Sequence, residues 1–264
     1  MIRIILHGAY GRMGRMITDI VSRDEDTVIT AGVDALVTAA PETAAGILTS
    51  YPVYGSLDEV QEEADVVIDF SNAAAADTLI DWCRQHKMPV VLCTTGLSEA
   101  QTAALHEAAK EIPVLKSANM SIGINLLLGV LRQIAPTLAE AGFDIEIMEK
   151  HHNQKLDAPS GTALALADAV NDGLEAAEDG RYEYVYDRSG RRMKRPQNEI
   201  GISAVRGGTS VGDHDVIFAG EDEVITLSHR AYSRAVFAKG AVTAAKFLAG
   251  KEAGFYGMED ALFG

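Results

Sequence analysis

Runs of apolar residues alternate with alanine-rich stretches of helical periodicity along residues 1–121. The run ADVVIDF at 64–70 is almost entirely apolar, which is typical of a strand buried on both faces of a parallel sheet. Similar patterns predict further strands at 2–7, 27–34, 89–93 and 112–117, and helices at 12–23, 72–86 and 98–110. The alternation of strand and helix predicts an α/β fold with a Rossmann-type, doubly wound parallel sheet.

The pattern changes after residue 121. The segment 122–141 predicts a long helix, 143–152 alternates like a half-buried strand, and 160–174 predicts an amphipathic helix. Strand-like segments then follow without helices between them, at 198–208, 214–220 and 223–230, and a last alanine-rich helix covers 232–249. Strands that succeed one another directly are typical of an antiparallel or mixed sheet, so we expect a second, α+β domain with a mixed sheet.

Composition and charge narrow the function classes. The chain has 264 residues, 47% of them hydrophobic, and a net charge of -15, which argues against a nucleic-acid partner. No continuous apolar run reaches membrane-spanning length and the start does not resemble a signal peptide, so we expect no membrane association. Cys83 and Cys93 form no metal or redox motif, which fits a reducing cytoplasm. The basic stretch 180–195 is interpreted as a solvated loop.

A glycine-rich turn joins the first predicted strand to the first helix. In HGAYGRMG, Gly8, Gly11 and Gly14 have the setting of a dinucleotide-binding fingerprint, although Tyr10 occupies the place of the middle glycine. Such a turn brings backbone N–H groups and a helix N-terminus to a pyrophosphate. A tight turn that binds no ligand is the alternative.

Asp34 ends the second predicted strand, twenty residues after Gly14. A carboxylate there can accept hydrogen bonds from an adenosine ribose. Because Ala35 follows it rather than a basic residue, we expect NADH to be preferred, while Arg12 leaves NADPH open as an alternative. Small polar residues also follow three later strands, in DFS, CTTG and SANM, where ligands of such sheets bind.

The segment HHNQKLDAPSGTA, from residue 151, gathers cationic groups in an acidic chain. His151 and His152 end a predicted strand, Lys155 follows, and Ser160 is a candidate N-cap for the next helix. A lysine, histidines and outward-facing amides near Gly161 suit a small dicarboxylate, and a histidine can transfer a proton near neutral pH. Metal binding is disfavoured, because adjacent histidines rarely chelate one ion and no suitable ligand spacing accompanies them.

Several motifs resemble those of the 4-hydroxy-tetrahydrodipicolinate reductase, or dihydrodipicolinate reductase, family. KHHNQKLDAPSGTA is similar to the family signature E-x-H-H-x-x-K-x-D-A-P-S-G-T-A, whose first position Glu149 supplies. GAYGRMG, CTTG, SANMSIGIN and the long block from EIGISAVRGG to HRAYSR resemble further family motifs, in the same order along almost the whole chain. Cys93 departs from a usual glycine, and Ala35 replaces the basic residue of members that accept both cofactors.

The resemblance implies an NAD(P)H-dependent reduction in diaminopimelate and lysine biosynthesis by a homotetramer whose two domains close over the substrate. It implies a dinucleotide-binding domain at 1–121, a substrate-binding and oligomerisation domain at 122–231, and a segment at 232–264 that returns to the first domain. By the same resemblance, His151 is the proton donor, Lys155 its catalytic partner, and His152, Gly161 and Thr162 bind substrate carboxylate. The implied cofactor-binding residues are Gly8, Ala9, Tyr10, Gly11, Arg12, Met13, Asp34, Cys93, Thr94, Thr95, Ser117, Ala118, Asn119 and Met120.

Two other functions stay open at the level of the sequence. A related two-domain dehydrogenase acting on an amino or keto acid would share the glycine turn, but it would not need the His-His-x-x-Lys run beside Ser-Gly-Thr. A regulatory protein that senses NAD without catalysis would lack a positioned acid and would carry a partner-binding module. The architecture alone does not separate them, since it hosts many functions.

Overall fold

The computed structural model describes residues 1–178 and 180–264. The strands are β1 (Ile2–His7), β2 (Thr27–Val33), β3 (Val53–Tyr54), β4 (Val66–Asp69), β5 (Val90–Leu92), β6 (Pro113–Lys116), β7 (Asp144–His151), β8 (Glu183–Val185), β9 (Glu199–Arg206), β10 (Gly212–Ala219), β11 (Val224–Ala231) and β12 (Gly254–Tyr256). The α-helices are α1 (Arg12–Val21), α2 (Leu36–Ala39), α3 (Pro41–Ala45), α4 (Ala76–His86), α5 (Glu99–Ala108), α6 (Ile122–Glu140), α7 (Gly161–Ala176), α8 (Ala235–Leu248) and α9 (Met258–Phe263).

The first sheet is parallel throughout and has the strand order β12-β6-β5-β4-β1-β2-β3. Its central strands bury both faces, because successive side chains point to opposite sides. Ile4 and Leu6 pack in one core with α1 and α8, whereas Ile5 packs in a second core with α4 and α5. The Rossmann-type, doubly wound prediction is therefore confirmed.

The second sheet is mixed, with the order β11-β10-β7-β9-β8. β7 runs parallel to β9 and antiparallel to β10. Ile145 and Ile147 of β7 pack into a core that α6 and α7 supply with Leu128, Leu131 and Leu166. The period of two along β7 carries Glu149 and His151 to this same, buried face of the sheet. The prediction of an α+β region with a mixed sheet is confirmed.

The chain forms two compact units. The first comprises residues 1–122 and 234–264, and the second comprises residues 123–233. Helix α8 packs in the first unit, where Ala241, Ala245 and Leu248 are buried beside strands β4 and β5. Separate roles in nucleotide and substrate binding stay predictions for these units.

The basic stretch 180–195 differs from its interpretation as a solvated loop. It contains β8, which pairs with β9, and several of its arginines fold onto acidic residues of the second unit. The ion pairs are Arg188–Glu146 at 2.8 Å, Arg191–Glu199 at 2.6 Å and Arg195–Asp144 at 2.7 Å. The interpretation holds for exposed residues outside β8, such as Arg192 and Lys194, but it is wrong for these three arginines, because the second sheet brings acidic residues of β7 and β9 to them.

Helix α6 is long and apolar enough to cross a membrane by length and composition alone. Its residues Ile124, Leu128, Leu131, Ala135 and Ala139 are instead buried in the core of the second unit. A core helix of a globular domain passes the same test of length and hydropathy.

Candidate active site

The turn between β1 and α1 depends on its glycines. Gly8 has φ +85°, and a Cβ there would lie 2.6 Å from the carbonyl oxygen of Phe70. A Cβ on Gly14 would meet the carbonyl oxygen of Gly8, so the helix approaches the turn only because residue 14 lacks a side chain. Gly11 is the N-cap of α1 and contributes no side-chain cap, which suits a bound phosphate at the helix N-terminus.

Asp34 lies beside this turn, just after β2. One oxygen of its carboxylate accepts a hydrogen bond from the Tyr10 amide at 2.9 Å, and the other accepts one from the Leu36 amide at 3.0 Å. Each carboxylate oxygen can accept more than one bond, so the group can still receive a ribose hydroxyl. The structure thus brings the predicted acidic residue to the glycine turn.

A cavity of about 500 Å³ opens in the first unit at the ends of β5 and β6. Its lining contains these predicted cofactor-binding residues: Arg12, Met13, Cys93, Thr94, Thr95, Ser117, Ala118, Asn119 and Met120. The predicted residues Gly8, Ala9, Tyr10, Gly11 and Asp34 belong to the adjoining turn and strand end. Phe70 and Ser71 of the strand-end segment DFS also line the cavity, as do Arg234 and Phe237, which sequence reasoning missed.

A hydrogen-bonded pair, His7 and Asp69, lies at the ends of β1 and β4 and was not predicted. His7 ends β1 and Asp69 ends β4, and the His7 Nδ1 atom lies 2.9 Å from the Asp69 carboxylate. Burial raises the pKa of Asp69, but the hydrogen bonds from His7 and Ser71 outweigh burial and hold that pKa below its usual value. Charged residues that end apolar strands were the signal available in the sequence.

His151 is the last residue of β7 and is only 7% exposed. Its Nδ1 atom lies 2.6 Å from a carboxylate oxygen of Glu149. Burial lowers the pKa of His151, and the neighbouring Glu149 carboxylate counteracts only part of that effect. The free protein therefore holds His151 as a comparatively strong acid.

Glu149 is fully buried, and its carboxylate accepts four hydrogen bonds, an arrangement that sequence reasoning missed. Arg206 binds both of its carboxylate oxygens at 2.7 Å, and the Ser160 amide donates to one of them at 3.0 Å. Burial raises the pKa of Glu149, but the hydrogen bonds from Arg206 and His151 outweigh burial and leave that pKa below its usual value. Glu149 was named only as the first letter of a motif.

The N-terminus of α7 lies next to this carboxylate. The Ser160 side chain caps the helix by accepting a hydrogen bond from the Ala163 amide at 3.1 Å, as predicted for an N-cap. Gly161 is exposed, and a Cβ there would meet no atom within 4 Å. The first turn of α7 is therefore open to a bound anion at Gly161.

The loop between β7 and α7 carries the remaining predicted residues. The Lys155 ammonium lies 2.8 Å from the Asp157 carboxylate and is 21% exposed. His152 is half-buried, and its Nδ1 atom accepts a hydrogen bond from the Gln154 amide at 3.2 Å. The structure thus places His151, Lys155 and the start of α7 in one short segment of the second unit.

Comparison with known proteins matches both units to one family. Models described as dihydrodipicolinate reductase, N-terminus and C-terminus, match residues 2–120 and 123–262. The chain is 52% identical over 260 residues to 4-hydroxy-tetrahydrodipicolinate reductase of Caldanaerobacter subterraneus subsp. tengcongensis, with 98% of each chain covered. It is 48% identical over 259 residues to the enzyme of the same name from Clostridium tetani, covering 98% of this chain and 96% of the relative.

Solved structures show the same fold. Dipicolinate-bound dihydrodipicolinate reductase from Paenisporosarcina sp. TG-14 superposes with a TM-score of 0.78 at 25% identity, with 100% of each chain covered. A probable dehydrogenase from Thermotoga maritima superposes with a TM-score of 0.63 at 13% identity, covering 98% of this chain and 92% of that one, and shows the fold alone. The chain therefore belongs to the dihydrodipicolinate reductase family of NAD(P)H-dependent oxidoreductases.

Proposed function

We propose that the protein reduces 4-hydroxy-tetrahydrodipicolinate to tetrahydrodipicolinate in diaminopimelate and lysine biosynthesis, with His151 as proton donor and Lys155 as its catalytic partner. One observation carries the assignment of residues. Glu149 accepts hydrogen bonds from both the His151 ring and the Ser160 amide at the start of α7. One carboxylate therefore holds the proposed proton donor next to the helix N-terminus that we propose as the anion site. Relatives 52% and 48% identical carry the name of this reductase.

The first unit has the features that a dinucleotide needs. The uncapped first turn of α1 and the guanidinium groups of Arg12 and Arg234 suit the pyrophosphate, and Asp34 suits the ribose. Cys93, Thr94, Thr95 and residues 117–120 line the cavity of about 500 Å³. When bound there, NAD(P)H supplies the hydride.

The second unit has the features that a dicarboxylate needs. Lys155 and His152 offer side-chain hydrogen bonds to one carboxylate, while the start of α7, at the exposed Gly161 and the half-buried Thr162, offers backbone amides. The Paenisporosarcina relative was solved with dipicolinate bound, which has the same two carboxylates on a ring. A cationic cluster in a chain of net charge -15 is accounted for by this substrate.

His151 supplies the proton of the reaction. The 4-hydroxyl group of the substrate leaves as water, which gives a conjugated ring imine. Addition of a hydride to this imine leaves electron density on the ring, and a proton from His151 neutralises that density as it develops. The Glu149 carboxylate accepts a hydrogen bond from Nδ1 of this ring, so the donated proton leaves from Nε2. General acid catalysis of this kind contributes about 10²–10⁴-fold to a rate.

A dicarboxylate requirement tests the substrate assignment directly. Dipicolinate should bind the protein measurably in isothermal calorimetry, whereas pyridine-2-carboxylate, which lacks one carboxylate, should bind about tenfold or more weakly. Equal affinities for the two compounds would contradict a site built for two carboxylates.

NADH should be the preferred cofactor, because the Asp34 carboxylate repels a 2′-phosphate. Asp34→Asn keeps an oxygen acceptor for the Tyr10 amide but removes the charge. We expect it to raise the ratio of kcat/KM for NADPH to that for NADH by about tenfold, and steady-state kinetics measure this ratio. Asp58→Asn, at an exposed site of the same unit, is the control. An unchanged ratio in Asp34→Asn would remove Asp34 from cofactor selection.

We further propose that the protein is a homotetramer assembled through the second sheet. The described helices of the second unit cover one face, and the cross-strand register places Val205 and Val224 on the other, where they are 46% and 62% exposed. Light scattering should give four times the chain mass of 28.2 kDa, and Val205→Glu should lower that mass. A monomeric wild type would overturn the assembly.

A cytoplasmic location is part of the same proposal. Cys83 and Cys93 are both free and buried, and burial raises the pKa of each thiol. Thiols held protonated in this way are inert and suit a reducing compartment.

A further inference from the structure

The environment of the His151 ring is built from two residues outside the proposed catalytic pair. Each oxygen of the Glu149 carboxylate accepts two hydrogen bonds. One oxygen accepts from His151 Nδ1 at 2.6 Å and Arg206 Nη1 at 2.7 Å, and the other accepts from Arg206 Nη2 at 2.7 Å and the Ser160 amide at 3.0 Å. A carboxylate with four donors has no freedom to rotate, so its direction toward His151 is fixed.

We propose that Glu149 and Arg206 are positioning residues that hold the His151 ring with its Nδ1 proton on the carboxylate and its Nε2 atom toward the substrate, a role that rests on the proposed reductase function. An ionised carboxylate only accepts hydrogen bonds, so Nδ1 of His151 must be the donor. In the neutral ring Nε2 then carries the lone pair, and in the protonated ring Nε2 carries the proton to be donated.

Arg206 has a second effect, on the strength of the acid. It shares one carboxylate oxygen with His151, so its positive charge weakens the attraction of Glu149 for a protonated ring. A carboxylate alone would make His151 a better base, whereas a carboxylate neutralised by a guanidinium orients the ring and leaves it a readier proton donor. The Arg206 side chain is itself anchored by a 2.6 Å hydrogen bond to the Asp157 carbonyl oxygen.

Other charged and titratable groups around His151 act in the same or the opposite direction. Lys155 lowers the pKa of the ring, as Arg206 does. His214 of β10 contacts the ring edge-on at 5.1 Å between centroids, and burial lowers its pKa to about 4, so it stays neutral. His229 of β11 lies opposite His214 in the strand register, and Asp157 pairs with Lys155. Glu149 is thus the one anion that binds the ring directly among the described residues.

Gly212 completes the arrangement by leaving room for the ring. A Cβ on this residue of β10 would lie 2.9 Å from His151 Nε2 and 3.5 Å from His214 Cε1. Because Glu149 fixes the opposite side of the ring, His151 cannot withdraw from an added methyl group without losing its hydrogen bond. Gly212→Ala therefore displaces the ring without changing any charge.

The test compares charge-removing variants at the two positions. In wild type, kcat/KM should fall as the pH rises through the pKa of His151, because the donor must be protonated. Glu149→Gln removes the stabilising anion and should move this fall to lower pH, whereas Arg206→Gln should move it to higher pH. Each variant should lower kcat about 10- to 100-fold, which is typical of groups that orient a reacting residue. Arg206→Lys keeps the positive charge but loses the two-point contact with Glu149. It replaces Arg206→Gln as the test of ring orientation if Arg206→Gln does not fold.

Nitrogen-15 NMR of the histidine rings shows which ring nitrogen of His151 carries the proton, and it needs no turnover. The neutral His151 ring should carry its proton on Nδ1 in wild type and lose this preference in Glu149→Gln and Gly212→Ala. Glu146→Gln is the matched control, since Glu146 lies on β7, binds Arg188 at 2.8 and 2.9 Å, and points to the other face of the sheet. It should leave the tautomer unchanged.

The outcomes separate the two proposals. An unaltered tautomer together with an unaltered pH profile in folded Glu149→Gln would overturn the positioning role. A wild type that oxidises no NAD(P)H with the dicarboxylate substrate, yet shows the Nδ1 proton and loses it in Glu149→Gln, would overturn the reductase assignment while leaving the orientation of His151 intact.

Discussion

His151→Gln is expected to lower kcat by about 10²–10⁴-fold, the contribution of a positioned general acid. Glutamine is close in size to histidine and retains hydrogen bonding to Glu149, but it has no proton to donate near neutral pH. The affinity for NADH should change little, because the proposed cofactor-binding residues lie in the turn after β1, on α1, after β2 and at the ends of β5 and β6, all in the first unit. Steady-state kinetics and fluorescence titration with NADH measure the two quantities separately.

The control for this variant is His106→Gln, which alters an exposed histidine on α5 of the first unit. It should leave kcat unchanged. Unchanged turnover in His151→Gln would remove His151 from the mechanism.

The pH dependence of the wild type follows from the same role. Burial lowers the pKa of His151 in the free protein. As the pH rises, kcat/KM should therefore begin to fall at a pH below the usual titration range of a histidine. A bound dicarboxylate adds negative charge near the ring and raises this pKa, so kcat should persist to higher pH than kcat/KM. Coincident profiles for the two parameters would contradict a donor in contact with the substrate dianion.

Lys155→Ala is expected to lower kcat/KM by about 100-fold, through both a slower rate and weaker substrate binding. The ammonium group is 21% exposed and pairs at 2.8 Å with Asp157, a more exposed residue that a substrate carboxylate can displace. A charge-assisted hydrogen bond in such a partly desolvated place is worth about 1.5–3 kcal/mol. Loss of Lys155 also leaves Asp157 unpaired beside the incoming dicarboxylate, which adds repulsion.

Dipicolinate affinity measured by calorimetry isolates the binding part of the Lys155→Ala effect. Lys110→Ala, which removes an exposed lysine paired with Glu107 on α5, is the matched control and should change neither parameter. An effect of Lys155→Ala confined to NADH binding would contradict its place at the substrate.

Local sequence patterns were sufficient for the elements that position the site. The apolar run before Gly8 and the glycine spacing after it predicted β1 and α1, because a tight strand-to-helix turn has few chemical solutions. The alternation along 143–152 likewise predicted that β7 buries every second residue, and Ser160 marked the start of α7. These signals act over a few residues, so they can be read without knowing the tertiary structure.

Local sequence patterns could not predict contacts between residues that lie far apart in the chain. Arg206 reaches Glu149 across 57 positions because β9 pairs with β7, and only the strand register decides that meeting. Arg234 and Phe237 line the cavity because the last segment packs in the first unit. Arg188 and Arg195 were misread for the same reason, since their partners Glu146 and Asp144 lie on β7, 42 and 51 positions away in the chain.

Turnover of the natural substrate tests the central claim most directly. The substrate is generated in situ from pyruvate and aspartate semialdehyde by a dihydrodipicolinate synthase, and the near-ultraviolet absorbance of NADH, and separately of NADPH, is followed. Oxidation that requires the synthase, is faster with NADH, and is inhibited by dipicolinate is the predicted result. The absence of oxidation with either nucleotide, in protein shown to bind NADH, would contradict the reductase assignment and favour a related dehydrogenase.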